Sequence, residues 1–303
     1  MHEEIIDLIS EGYFYPKSSL LSSGKVKIKP ISAEIEELLC STNLIARGEL
    51  DREFVRAVVS GGIDYDELLY CDKLSILLNT RIANYGPVVR SKIKCDKCDS
   101  DIDAEISLRF KNRTFDFSKY TNHKNVLVYT FPKCGKSVTF KLGTCEDHRI
   151  YEKDGWLALA KRITTDVTEV EDINTFYDYE LGATDSRNFR KHYFEHTPGY
   201  INDVTIKCPS CGVSRSDKLD IDLRIFGISP ESKAAIHGEI FDLCYYSNGA
   251  FTQDSVYKMP TSLRSFYIKK LVEAKKAEAE ASSAANKGES PNSKIAKPPT
   301  VKS

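Results

Sequence analysis

Hydrophobic positions along the chain change period several times, and each change predicts an element. Val26 and Ile28 alternate with lysines over residues 25–29, a strand that Pro30 ends. Ser32 then stands where a helix N-cap belongs, and Glu34, Glu36 and Glu37 fall in the first turns, where the helix dipole favours negative charge. Ile35 sits three positions on, so no capping box is expected. Leu68, Leu69, Leu74, Leu77 and Leu78 form an apolar stripe near helical spacing and predict a helix over 66–83, stopped by Gly86-Pro87. Another helix is predicted over 51–60 and a short one over 3–10, with an aromatic loop between Gly12 and Ser23. Residues 88–94 and 102–108 read as extended arms on either side of a Cys-x-x-Cys pair.

A polar connection over 111–125 leads to a predicted hairpin, 126–131 and 138–142, turning through Gly135. Helices follow over 144–163 and 185–195, the second stopped by Pro198-Gly199. Residues 204–207 and 219–223 read as arms flanking a second Cys-x-x-Cys pair. Helices over 230–246 and 261–281 close the ordered part. From Ser282 the Ser, Ala, Asn, Gly, Pro and Lys content predicts a disordered tail over 282–303.

This order occurs twice. At a spacing of 113 residues, Glu180, Leu181, Asp185 and Gly199 coincide with Glu67, Leu68, Asp72 and Gly86. Ile206, Lys207, Cys208 and Cys211 coincide in the same way with Ile93, Lys94, Cys95 and Cys98. At a spacing of 112, Val138, Phe140, Lys141, Thr144 and Glu146 fall on Val26, Ile28, Lys29, Ser32 and Glu34. The expected fold is therefore α+β: internally duplicated strand–helix units joined at a zinc-ribbon-like Cys₄ junction, with C-terminal helices. The boundaries expected are 1–110 for the first repeat, 111–227 for the second, 228–281 for the C-terminal helical segment, and 282–303 for the tail.

Composition narrows the function classes. A 303-residue chain with a formal net charge of −1 exerts no overall pull on nucleic acid or anionic lipid. No window approaches the roughly 18 apolar residues of a membrane span, and the acidic Met-His-Glu-Glu start lacks the features of a signal peptide. A cytoplasmic setting keeps thiols reduced, so nine cysteines do not read as a disulfide framework.

Each repeat ends in one cysteine pair, so only both together supply four thiolates. Cys95, Cys98, Cys208 and Cys211 are the candidate ligands of a structural Zn²⁺, with zinc clamping one copy to the other. The plain alternative is that both pairs are reduced relics of an ancestral site. A redox pair fits less well, because strands rather than a helix flank each motif. Four thiolates also leave no open position for metal catalysis.

Cys134, Cys145 and His148 have ligand-like spacing for a second metal, against a surface histidine and a buried cysteine. Cys40, Cys71 and Cys244 read as small core residues. Tyr13, Phe14 and Tyr15, or Tyr245 and Tyr246, read either as interface anchors or as local core cover. The carboxylates form no catalytic pair and read as exposed helix faces. Arg264, Lys269, Lys270, Lys275 and Lys276 read as a solvated positive face, or as one that meets an acidic partner.

Several of these segments together resemble the baseplate hub proteins and hub assembly factors of T-even-like contractile-tailed bacteriophages. They are Gly135-Lys136-Ser137-Val138-Thr139-Phe140-Lys141 with Thr144 and Glu146, Leu181 with Asp185, Pro198-Gly199, Cys208 with Cys211, and Met259-Pro260-Thr261-Ser262-Leu263-Arg264-Ser265-Phe266-Tyr267. The likeness spans about residues 24–275. It implies a structural component or assembly factor of the tail baseplate hub, with other hub or tail proteins as partners and no enzyme activity. The expected location is the host cytoplasm during assembly, and the virion baseplate if the protein stays there. The rival class is a zinc-ribbon nucleic-acid binder. It needs a basic cluster at the knuckles, but Asp96, Asp99, Asp101, Asp217 and Asp220 offset Lys94, Lys97, Lys207, Arg215 and Lys218. A metalloenzyme would need an open metal site.

Overall fold

The computed structural model of the chain describes residues 3–288. Strand β1 (Glu4–Asp7) pairs antiparallel with β2 (Lys25–Ile28), and three helices follow: α1 (Ala33–Leu39), α2 (Thr42–Arg47) and α3 (Leu50–Val58). Helix α4 (Tyr70–Tyr85) then leads into a hairpin of β3 (Val88–Lys94) and β4 (Asp101–Ser107). A two-residue strand β5 (Lys111–Asn112) precedes a second hairpin, β6 (Leu127–Thr130) and β7 (Ser137–Phe140). Next come α5 (Cys145–Asp154), α6 (Trp156–Ile163), β8 (Thr164–Val167), a single turn α7 (Ile173–Thr175) and α8 (Ala183–Glu195). Strands β9 (Tyr200–Ile201), β10 (Asp203–Lys207) and β11 (Ser214–Lys218) complete the sheets, and α9 (Lys233–Tyr246), α10 (Gln253–Tyr257) and α11 (Thr261–Gly288) end the described chain. All strand pairings are antiparallel and the fold mixes helix and strand, as expected for an α+β protein.

The two halves use the same pairing registers. Glu4 faces Ile28 in the first hairpin and Leu127 faces Phe140 in the second; Ile28 and Phe140 are 112 residues apart. Lys94 faces Asp101 and Lys207 faces Ser214, both 113 residues apart. The hairpin loops differ in length, 8–24 against 131–136, yet both are held by a buried carboxylate near the start of a helix. Asp72 accepts from the Ser10 N–H (3.0 Å), the Ser10 hydroxyl (2.6 Å) and the Tyr15 hydroxyl (2.8 Å). Asp185 accepts from the N–H groups of Lys133 (3.0 Å) and Cys134 (2.9 Å). Each carboxylate thereby satisfies loop donors that burial would otherwise leave unpaired. Desolvation pushes the Asp72 carboxyl above its usual range. The expectation that the carboxylates lie on exposed faces is therefore corrected: Asp72, Asp185, Glu36 and Asp147 are all buried.

One apolar core runs from Ile6 to Phe226 through both halves, with Phe54, Phe131, Phe140, Phe176 and Phe189 fully enclosed. The strands β5 and β9 tie the connection to the second half, and Arg113 donates to the carbonyls of Phe194 and Thr197. Phe115, Phe117 and Tyr120 of this connection pack around Phe14, so it is less polar in function than in composition. A second core joins α1 to the C-terminal helices through Ala33, Cys40, Ile236, Ile240, Leu243 and Val256.

Several local expectations are revised. Residues 4–7 form a strand instead of part of a helix, because β-branched Ile5 and Ile6 find a ladder partner in β2. Gly155 splits the helix expected over 144–163 into α5 and α6. The arm after the second cysteine pair is 214–218, while 223–226 is a 3₁₀ turn. Helix α11 continues to Gly288, so residues 282–288 of the expected tail are helical, in keeping with the high propensity of their alanines. Residues 289–303 of that tail lie outside the described residues. Phe14 and Tyr15 are core, whereas Tyr245 and Tyr246 are exposed.

Candidate metal centre

Each Cys-x-x-Cys turn sits at the tip of a hairpin, and the same hydrogen bonds shape both. Cys95 N–H donates to the Ser100 carbonyl and Asp99 N–H to the Cys95 carbonyl, both at 2.9 Å. Cys208 N–H donates to the Val213 carbonyl at 2.9 Å and Gly212 N–H to the Cys208 carbonyl at 3.0 Å. The residue after the second cysteine takes a left-handed backbone each time: Asp99 at φ +54° and Gly212 at φ +71°. Asparagine, aspartate and glycine are the types that adopt this region most readily.

The tips meet. Cys95 Sγ lies 3.7 Å from Cys211 Sγ, Cys98 Sγ lies 3.7 Å from Cys208 Sγ, and all four sulfurs fall within 4.8 Å of one another. A tetrahedral ion with ligand bonds of about 2.3 Å requires sulfur–sulfur edges of about 3.8 Å. No pair is at disulfide distance; all nine cysteines are free thiols. Ile102, Ile93 and Ile206 wall the group, and Cys95 and Cys208 are buried while Cys98 faces solvent. The residues present therefore fit a closed four-thiolate metal site.

Donors around Cys98 and Cys208 favour their thiolate forms, whereas at Cys211 the Val213 backbone donor is outweighed by burial and the neighbouring sulfurs, which push that thiol up to about 11. The Ser100 hydroxyl lies 3.3 Å from Cys208 Sγ and 3.1 Å from Cys98 Sγ. That hydroxyl, aided by the N–H groups of Cys211 and Ser210, holds the Cys208 thiol down at about 6. The Ser100 side chain and backbone likewise lower the Cys98 thiol. Ser100 was not legible as a site residue, since only the closed turn brings its hydroxyl to the sulfurs of both hairpins, Cys98 and Cys208. Across the outside of the junction Arg215 pairs with Asp96 at 2.6 Å. It also pairs with Asp217, and Lys94 sits near Asp99 and Asp101.

The left-handed turns make a test. A Cβ added at Gly212 meets nothing within 4 Å, so its cost is purely backbone strain. Gly212→Ala is expected to destabilise the junction by about 1 kcal/mol. Asp99→Gly, which relaxes the matching position, is expected to stabilise it by about half as much. Opposite shifts of the melting midpoint are the readout; shifts of the same sign would contradict the equivalence of the two turns.

The second group of candidate ligands is not brought together. Among the described residues the grouping of metal-ligating side chains is Cys95, Cys98, Cys208 and Cys211. Cys134 is exposed in the β6–β7 turn, and its N–H is the group that Asp185 holds. Cys145 is buried, and burial pushes its thiol up to about 12. His148 is stacked on Tyr70 with ring centroids 3.8 Å apart, and its Nε2 lies 3.3 Å from the Tyr193 hydroxyl. Burial lowers its pKa to about 3, so the ring is a neutral core group. Cys40, Cys71 and Cys244 pack with the cores, as their apolar neighbours implied.

What fold and site define together is a mixed α+β body in which two Cys-x-x-Cys hairpin tips meet in one four-cysteine cluster. Its family follows from sequence: the profile of the T4 bacteriophage base plate protein family matches residues 14–223, and the chain belongs to that family. No curated protein and no solved structure matches. Membership points to a structural role in the tail baseplate, with other phage tail proteins as partners. No described helix is long and apolar enough to cross a membrane.

Proposed function

We propose that the chain is a component or assembly factor of the baseplate hub that works as a protein–protein scaffold. Its ancestor duplicated, and Zn²⁺ bound by Cys95, Cys98, Cys208 and Cys211 fixes the angle between the two copies. The convergence of all four sulfurs within 4.8 Å, two pairs of them at 3.7 Å, supports the metal half of this reading, because that is close to the edge length of a tetrahedral four-thiolate site. The shared registers and the matched roles of Asp72 and Asp185 support duplication. A closed site of four thiolates offers structure rather than catalysis, and the reducing host cytoplasm keeps the thiols available for the ion during assembly. The C-terminal helices supply a partner face, with Phe241, Tyr245 and Phe266 exposed beside the second core.

The nucleic-acid alternative finds little support at the junction, where Arg215 and Lys94 are each spent on neighbouring aspartates. Gradient sedimentation of infected-cell extracts provides the test. A tagged chain should travel with hub and tail-tip intermediates and carry one zinc per chain. A chain found only as free monomer at every stage would remove the scaffold reading.

A further inference from the structure

Helix α8 buries Phe189 and Tyr193 in the core, while Arg187, Arg190, Lys191 and Phe194 recur along another side at i, i+3, i+4 and i+7. A basic run on a helix is ordinarily just a solvated face. Here that side is one wall of a cleft of about 510 Å³, and other elements supply the rest. Lys218 comes from the end of β11, Arg113 from the connection after β5, and Tyr200, Ile201 and Asp203 from β9 and β10. Cations from three separate segments therefore converge on one concavity.

Their charge is not spent within the chain. On other surfaces Arg149 pairs with Glu146, Arg215 with Asp96 and Arg224 with Asp222. Among the described residues the five cations of the cleft form no ion pair. Arg190 donates to the Tyr151 hydroxyl at 3.0 Å, and Arg113 to the carbonyls of Phe194 and Thr197. Two carboxylates, Glu195 and Asp203, share the lining, and Glu195 acts on Arg113. Positive charge still exceeds negative there, in a chain whose net charge is −1. The excess continues past Ile201 and Asp203 into an adjoining cleft of about 330 Å³, which adds Arg109 and Lys111 and whose Glu105 is already paired with Arg90.

We propose that this cleft receives an acidic peptide segment of another tail protein. Phe194 and Tyr200 are half-buried and Ile201 is 49% exposed, so the floor offers apolar area while the cations around it meet carboxylates. A nucleic acid fits less well. Ile201, the most exposed of the three, has no ring on which a base could stack, and Glu195 and Asp203 repel a phosphate backbone but accept from peptide N–H groups. The end of this chain is a poor occupant on charge, because residues 289–303 hold three lysines against one glutamate. The proposal rests on the scaffold reading only for the class of protein that brings the segment.

The test uses the purified full chain and a labelled peptide of repeated Asp-Glu-Leu, followed by fluorescence polarisation. Micromolar binding is expected at low salt, weakening as salt screens the charges. Arg187→Glu combined with Lys191→Glu should weaken it by roughly tenfold or more. The melting midpoint should hold, because both side chains are exposed. Lys270→Glu combined with Lys275→Glu reverses charge on α11 instead and should leave binding unchanged. Absence of binding overturns the proposal, as does equal binding by the two double variants. Tighter binding of a single-stranded DNA oligonucleotide than of the peptide overturns it too. The assay needs no phage intermediate, so the cleft can fail while the scaffold reading stands. A chain that binds the peptide but never joins tail intermediates sinks the scaffold reading alone.

Discussion

On the proposed zinc clamp, Cys208→Ser is expected to abolish metal binding and to lower the stability of the whole fold by about 4–5 kcal/mol. With Zn²⁺ bound as proposed, the four-sulfur junction would tie residues 110 positions apart and act as a cross-link closing a long loop. For loops near 100 residues the chain-entropy cost of losing such a tie is about 4.7 kcal/mol. At about 2–4 °C of Tm per kcal/mol the drop falls at roughly 8–20 °C. Helix content should survive at low temperature, because the core around Phe54, Phe140 and Phe189 is built without the knuckles. Hydrogen exchange should rise first in 88–107 and 203–218, where the hairpins lose their shared end. Calorimetry with metal analysis is the measurement. A Cys208→Ser protein that melts with the wild type, and a wild type with no bound metal, would sink the clamp.

Arg264→Met should cost about 3–5 kcal/mol, more than any surface charge in the chain. Arg264 is only 2% exposed. It donates to Glu36, which is itself buried, and its Nε donates to Glu239 at 2.9 Å. Glu36 also accepts from the Tyr85 hydroxyl at 2.7 Å, so one carboxylate joins α1, α4 and α11. Removing the guanidinium strands that carboxylate in the interior. Glu36→Gln in the same chain should recover a large part of the loss, and a urea double-mutant cycle isolates the coupling. The lesion should also loosen α9–α11, seen as faster proteolysis near Gly249. Additive costs for the two substitutions would show that the pair is not a unit.

The contrast between these residues shows what the sequence could and could not disclose. Cysteine spacing, the Gly135 turn and the Leu74–Leu78 stripe announce themselves, because local geometry or one buried face dictates the residue type. The C-terminal basic residues all looked solvated, yet Arg264 is in the interior while Lys270 and Lys275 pair on the surface. Composition cannot separate them, since burial is set by what packs on top. The Asp185–Asp72 coincidence was visible as identity, but the work those carboxylates do depends on loops of different length. Residues 4–7 carry too few apolar positions to distinguish helix from strand, and pairing to 25–28 decides it. Strand Ser214–Lys218 has no alternation to read; the turn below it imposes the ladder.

The long separation within the four-thiol site also has a temporal side. A ribosome delivers Cys95 and Cys98 first, and the other pair follows about 110 residues later. At about 5–20 residues per second that interval lasts on the order of 5–20 s. Throughout it Cys95 and Cys98 sit in a two-stranded segment that is marginal alone and lacks its later neighbours Ile206 and Cys208, so both sulfurs are open to oxidation or to a borrowed ligand. Each molecule therefore has a brief juvenile period in which its partner choice is still undecided.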